Sequence, residues 1–212
     1  MDRPDTSPHT APLPSDYDEQ AVFRTLRDGD RYAWTALYDR YSGDVWRYVA
    51  RLIGPDAAAV ADVVQEVFLA AARGARRFDP DRGTPWAWLA GIAHHQAAAW
   101  WRQRGRAARL YALLESGQAG LRSLLDTTES VDDLLQRREV VNLVRFVLAE
   151  LPADYAVLLT AKYQDDRSLE QLADEQGGTA ESVKSKLARA RREFKTRFER
   201  LSRTGFQPVA DK

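Results

Sequence analysis

The sequence contains no cysteine among its 212 residues, which excludes disulfides and thiolate zinc sites and fits a reducing compartment. It has no run of about 18 apolar residues, so no membrane insertion is expected. Its N-terminus lacks a basic stretch followed by an apolar core, which predicts no secretory signal and a cytoplasmic protein. A glycine-rich phosphate loop, a nucleophile elbow and an HExxH helix are all missing, so neither an enzyme nor a cofactor is expected. Only three histidines occur. His94 and His95 are adjacent and point about 100° apart on a helix, and His9 lies in a polar N-terminal stretch, so no metal site is expected. There is no excess of charge of one sign: 31 basic residues balance 31 acidic ones. Taken whole, that balance argues against a strongly basic nucleic-acid binder. No segment shows the period-two alternation of a strand.

The charge is unevenly placed. Between Lys184 and Arg203 stand nine basic residues and two acidic ones, enough to hold phosphates locally on a neutral chain. Upstream, Ser168 and Gln171 form a capping box, in which each side chain satisfies an amide at a helix start. Gln176-Gly177-Gly178 then supplies a sharp turn, and Thr179 caps a second helix. Val183, Leu187, Ala190, Phe194 and Leu201 mark the buried side of that helix. Ser182, Ser185, Lys186 and Arg189 form a polar-basic stripe on the other side. This is a helix-turn-helix with a basic second helix, the arrangement that reads base edges in the major groove.

The rest of the chain reads as helices. Residues 1–15 are poor in apolar side chains and predict a disordered tail. Val22, Phe23 and Leu26 share a face until Asp28-Gly29. Asp30 caps a helix with an apolar stripe that includes Trp34, Leu37, Tyr38, Tyr41, Val45, Trp46, Val49 and Leu52. Gly54-Pro55 ends it, and Asp56 caps a third helix whose core band runs from Val60 to Ala71. Thr84-Pro85 starts a helix expected to end near Arg104. Its tryptophans, Trp86, Trp88, Trp100 and Trp101, are each weighted toward the core. Weak patterning over 105–133, acidic in its second half, predicts a flexible linker. Helices resume at Leu134, with Val140, Val141, Val144, Val147 and Leu148 as an apolar face. The expected fold is all-α: two small helical domains joined by a flexible linker, over 16–104 and 134–201, the second a helix-turn-helix. Residues 202–212 form a tail.

Some of these residues resemble a known family. SLEQLADEQGGTAESVKSKLARARREFKTRF, preceded by LPADYAVLLTAKYQ, is similar to region four of the sigma-70 factors, most of all their extracytoplasmic-function (ECF) subfamily. ALYDRYSGDVWRYVARLIG and ADVVQEVFLAAARGARRFDPDRGTPWAWLAGIAHHQAAAWWRQR resemble region two. The resemblance covers roughly Asp18–Arg104 and Val140–Arg200.

The resemblance implies a sigma factor that binds core RNA polymerase and directs promoter-specific initiation. Asp62, Gln65, Glu66 and Leu69, on one helical face, would dock on the clamp helices of the largest subunit; the polymerase flap is a further implied contact. Arg76, Arg77, Phe78, Trp88, His95 and Arg102 would bind the melted −10 strand, where charge and stacking surfaces suit an extruded base. Thr179, Glu181, Ser182, Ser185, Lys186 and Arg189 would bind the −35 duplex. Promoter DNA and an anti-sigma factor are the other implied partners. The chain departs from the family pattern at His95, Ala99, Gly178 and Glu181-Ser182, where promoter preference is expected to differ. Two other readings stay open at this point. One is a helix-turn-helix regulator acting without being a polymerase subunit. The other is a helical adaptor with no DNA role. Neither requires the Asp62–Leu69 face together with the Arg76–Gly83 loop.

Overall fold

The computed structural model describes residues 25–79, 83–115, 129–176 and 178–203. Seven α-helices lie among them, and no strand. The expected tail 1–15, Val22 and Phe23, and nearly all of 202–212 lie outside the described residues.

A short 3-10 turn, Thr25–Asp28, leads through Gly29 into α1, Arg31–Ile53. Asp30 caps α1 by accepting from the Tyr32 and Ala33 amides at 2.7 and 3.4 Å. Helical periodicity buries Ala33, Leu37, Tyr41, Val45, Tyr48, Val49 and Leu52 along one side. Tyr38 and Trp46, expected on that stripe, are exposed instead. The run of apolar residues spans a wider arc than one packed neighbour covers. Gly54 ends the helix at φ 113°, a backbone conformation that side chains rarely adopt. Asp56 then caps α2, Ala57–Gly74, through the Ala58 and Ala59 amides. Val60, Val63, Val64, Val67 and Ala71 form its buried face.

Thr84 caps α3, Pro85–Glu115, by accepting from the Ala87 amide at 3.1 Å. Leu89, Ala93, Ala97 and Trp101 recur every four residues on its buried side. The helix does not stop at Arg104 but continues through Gly105. One glycine inside a helix costs only about 1 kcal/mol relative to alanine, and the strong helix formers of RAARLYALLE follow it. The next helix, α4, spans Glu129–Glu150 and begins before the expected Leu134. Glu129, Asp132 and Asp133 read as linker residues, yet acids in a first turn favour a helix through its dipole. Only 116–128 of the expected linker lies outside the described helices.

The chain closes with α5 (Ala153–Tyr163), α6 (Leu169–Gln176) and α7 (Ala180–Arg203). Leu143, Val147, Leu148, Leu158, Leu172, Val183 and Leu187 form the core of this second helical group. Val140 and Val141 are exposed, and Leu143 is the first buried residue among the described side chains of α4.

The two groups are not held apart. Buried residues of both form one continuous apolar cluster, with α4 packed on α1 and α3, and α5 packed on α3. The Trp101 indole donates to the Leu52 carbonyl at 2.9 Å, and its ring meets Phe146 edge-on with centroids 5.8 Å apart. His94 is buried with Nε2 2.8 Å from the Leu151 carbonyl and Nδ1 3.4 Å from the Tyr48 hydroxyl. Desolvation holds its pKa below the usual histidine value, partly opposed by the bond to Leu151. Tyr48 is pushed far upward by burial and stays neutral.

Candidate nucleic-acid interface

Three surfaces carry the residues singled out in the sequence. The first lies on α2, where Asp62, Gln65, Glu66 and Leu69 are all exposed on the side away from the buried valines. Beside them runs an apolar groove of about 600 Å³ between α1 and α2. Tyr38, Trp46, Val64, Phe68 and Leu69 line it, and the Tyr38 and Phe68 rings stand 4.9 Å apart. Tyr38 and Trp46 were read as core, but they extend this face. Their signal was present: Tyr38, Ser42 and Trp46 recur every four residues, one position round from the buried Leu37–Tyr41–Val45 line.

The second surface follows α2. Arg76 and Arg77 are exposed in a 3-10 turn, Ala75–Arg77. Phe78 does not offer a stacking face: it is 3% exposed, with its ring 4.8 Å from Trp88. Its amide donates to Ala75, and its carbonyl accepts from the Arg27 Nε at 2.6 Å. Apolar burial has turned the ring inward, where it anchors the start of the loop. Arg27 thus serves the loop from 51 residues away, a contact no local pattern could reveal. Of the loop itself, 80–82 lie outside the described residues.

Beyond the loop, half-buried Trp88 and exposed His95 and Arg102 are spaced by seven residues, so they follow one side of α3. Arg106 continues the stripe, exposed, one turn further. Arg104 lies over the Trp100 ring, 5.0 Å from its centroid. Of the four tryptophans, Trp101 is core and the other three are half-buried. Trp86 packs between Tyr41 and Tyr48.

The third surface is the helix-turn-helix. Its capping box is realised in both directions: the Ser168 amide donates to Gln171 Oε1 at 2.9 Å, and the Gln171 amide to Ser168 Oγ at 3.1 Å. A second reciprocal pair starts α7, where the Thr179 and Ser182 side chains each accept from the other's amide at 3.2 Å. The Ser182 hydroxyl also donates to the Thr179 carbonyl at 2.7 Å. Ser182, expected to read DNA, is therefore committed to the helix start. This explains Gly178 as well, because a Cβ there would meet Ser182 Oγ at 3.0 Å. The two departures from the family pattern form one local arrangement.

Glu181, Ser185 and Arg189 are exposed with Thr179 on the outer side of α7. Lys186 is not fully with them. It is half-buried and turned toward α5, with Nζ 3.1 Å from Asp154. Further along, Arg197 donates to Glu193 and to the Glu150 carbonyl, and Arg191 to the Tyr163 hydroxyl. Lys184 and Lys195 make exposed ion pairs with Glu181 and Glu199. Such pairs are worth little and exchange readily for phosphate. Arg189 and Arg192 are exposed with no carboxylate paired to them among the described residues. No cluster of three potential metal ligands occurs among the described residues, and no helix there is long and apolar enough to cross a membrane.

Two family models match the chain in order. Sigma-70 region 2 matches residues 37–107, and Sigma-70, region 4 matches residues 141–194. The chain is 30% identical over 169 residues to the ECF RNA polymerase sigma factor SigL of Mycobacterium tuberculosis, covering 80% of this chain and 90% of that protein. It is 27% identical over 192 residues to the ECF RNA polymerase sigma-E factor of Escherichia coli, covering 87% and 96%. Among solved structures, CnrH in complex with the cytosolic domain of CnrY matches 84% of this chain and 95% of its own, at 22% identity and a TM-score of 0.43.

Proposed function

The chain belongs to the ECF sigma factors of the sigma-70 family, and from that premise we propose how its three surfaces divide the work of directing RNA polymerase to promoters. It is a specificity subunit and not an enzyme: polymerase does the chemistry, and the chain selects where it starts.

The helical group over 16–104 is the polymerase-binding and −10-reading unit, and the group over 134–201 is the −35-reading unit. Asp62, Gln65 and Glu66 meet a cationic helical partner, the clamp helices of the largest subunit, and Leu69 with the adjoining groove supplies apolar anchorage. The polymerase flap engages the second group. Arg76 and Arg77 hold the backbone of the melted −10 strand, while Trp88, His95 and Arg102 follow it along α3. Phe78 supports Trp88 from beneath. Ser185 and Arg189 reach base edges of the −35 duplex, Glu181 sits at the end of the reading helix, and Thr179 and Ser182 fix that end. Lys186 joins them once it leaves Asp154. An anti-sigma factor is a further partner, and the protein works in the cytoplasm, where polymerase and promoters are.

The observation that supports this reading most is the pairing of two family matches with two separate exposed stripes, on α3 and on α7. The test is in-vitro transcription with purified core polymerase and a promoter library. Promoter-dependent transcripts appearing only with this protein are expected. Tight duplex binding by the protein alone, with no transcript, would instead favour a regulator that is not a polymerase subunit.

A further inference from the structure

The cations near the reading end of α7 are held in different ways. Lys184 pairs with Glu181, one turn back on its own helix, at 3.7 Å, and both side chains are largely open to solvent. Arg189 and Arg192 are exposed with no carboxylate paired to them among the described residues. Lys186 differs from all three, because its carboxylate comes from another helix. Its Nζ stands 3.1 Å from Asp154, in the first turn of α5, with the two side chains 28% and 54% exposed. The lysine stem is thus packed away, while the carboxylate that holds its ammonium lies open. The dipole of α5 favours a carboxylate in that first turn.

Three residues turn a helix by about 300°, so Lys186 lies about 60° round from Arg189, on the α5 side of the reading face. A helix lying in the major groove turns the centre of its outer face to the base edges and its flanks to the sugar-phosphate walls. Lysine suits such a flank. It is a point charge on a flexible stem, able to swing its ammonium while the stem stays packed. Asp154 offers that ammonium what a phosphate offers, an exposed anionic oxygen.

We propose that Lys186 is a phosphate contact rather than a base reader, and that Asp154 is a built-in competitor for its ammonium, lowering the affinity of the reading helix for all duplex DNA alike. The proposal rests on the sigma-factor reading above and goes beyond it by giving Asp154 a part in DNA binding. On the free protein the pair is closed. On DNA a phosphate draws the ammonium away, and breaking the pair offsets part of what the new contact gains. An exposed pair of this kind changes an equilibrium by at most about fivefold. The effect is the same for every sequence, because a phosphate carries no base information. Base preference stays with Ser185 and Arg189.

The test uses holoenzyme assembled from core polymerase and the full-length chain, with two promoter duplexes that differ only in an intact or a scrambled −35 element. Affinities are read at about pH 7.5, above the ordinary histidine value, and at several salt concentrations. Asp154→Asn should tighten binding to both duplexes by the same factor, about two- to fivefold at low salt. Lys186→Gln should weaken both alike and reduce the slope of log affinity against log salt by about one. With Lys186→Gln in place, adding Asp154→Asn should change nothing, as expected of a residue that acts through another. Asp154→Glu, which keeps the charge, should bind as wild type does. Tightening confined to the intact element would show that Lys186 reads a base, and overturns the proposal. Tightening that persists without Lys186 would show that Asp154 repels DNA directly, and overturns it too. So does an Asp154→Asn variant that binds more weakly with a lower urea midpoint, the behaviour of a merely structural pair. Wild-type holoenzyme that binds the two duplexes equally shows instead that −35 reading itself has failed, and the proposal falls with it. A clear preference for the intact element with no effect of Asp154→Asn overturns the competition alone.

Discussion

The two reading helices are built on different principles. The stripe on α3 rides on a helix whose opposite side is the deepest part of the core, with Leu89, Ala90, Ala93 and Ala97 fully buried. The stripe on α7 rides on a helix that buries only Val183, Leu187 and Ala190 along its 24 residues. Its reading end is held by the Thr179–Ser182 caps, by the eight-residue α6 and by α5, where Lys186 meets Asp154. A surface that must trap an unpaired strand needs fixed pockets and stacking faces. A surface that reads intact duplex needs only an exposed helix of correct orientation. Recognition and stability are therefore entangled on α3 and separable on α7.

The sharpest way to break this comparison is Trp101→Ala. It removes a buried ring, the indole bond to Leu52 and the contact with Phe146, and should destabilise the chain by about 3–5 kcal/mol in urea melts. Phe78→Ala should behave in the same way, at about 3 kcal/mol, whereas a DNA-stacking residue would lower promoter opening and leave the melt unchanged. On α7 the effects should divide. Arg189→Ala should weaken −35 binding by about 1–3 kcal/mol and relax base preference at one position, with no change in the melting midpoint. Thr179→Ala should cost about 1 kcal/mol of stability through the lost cap and leave the −35 base preference unchanged.

The smallest expected effect is a pH dependence. His94 is held below about 6.5, the ordinary histidine value, chiefly by desolvation. Near it lie Tyr48, His95 and Asp154. Between that depressed value and about 6.5 the unfolded chain binds a proton that the folded chain refuses. Stability is therefore full above this window and falls as the pH drops through it. Urea midpoints at pH 7.5 and 5.5 should separate less for His94→Gln than for wild type. Equal separation would remove His94 as the cause.

Local chemistry was legible in the sequence. Asp30, Asp56, Thr84, Ser168 and Thr179 cap the helices for which their positions mark them, because an N-cap depends on three or four neighbouring residues. The faces on α2 and α7 follow from helical periodicity, whereas the residues on α3 were marked only by the family resemblance. What was not legible depends on long-range packing. Nothing near Phe78 shows that Trp88 and Arg27 enclose it. Nothing near Lys186 shows that Asp154 draws it inward. The linker was overextended because Gly105 and the acids after Glu129 read as breaks, although helix propensity and dipole carry α3 and α4 past them. The packing of the two groups on one apolar cluster brings together Arg51 with Asp165, His94 with Leu151 and Trp101 with Phe146, pairs too distant in sequence for any local pattern to join.

The central claim is that one chain reads two promoter elements with two separable surfaces. It is tested most directly by selecting active promoters from a randomised library with core polymerase and either wild type, Arg189→Ala or His95→Ala. The account predicts that wild type enriches both a −35 and a −10 element. Arg189→Ala should then lose selectivity only at −35, and His95→Ala only at −10. Selection of a single element by wild type, or loss at both elements from either substitution, would contradict it.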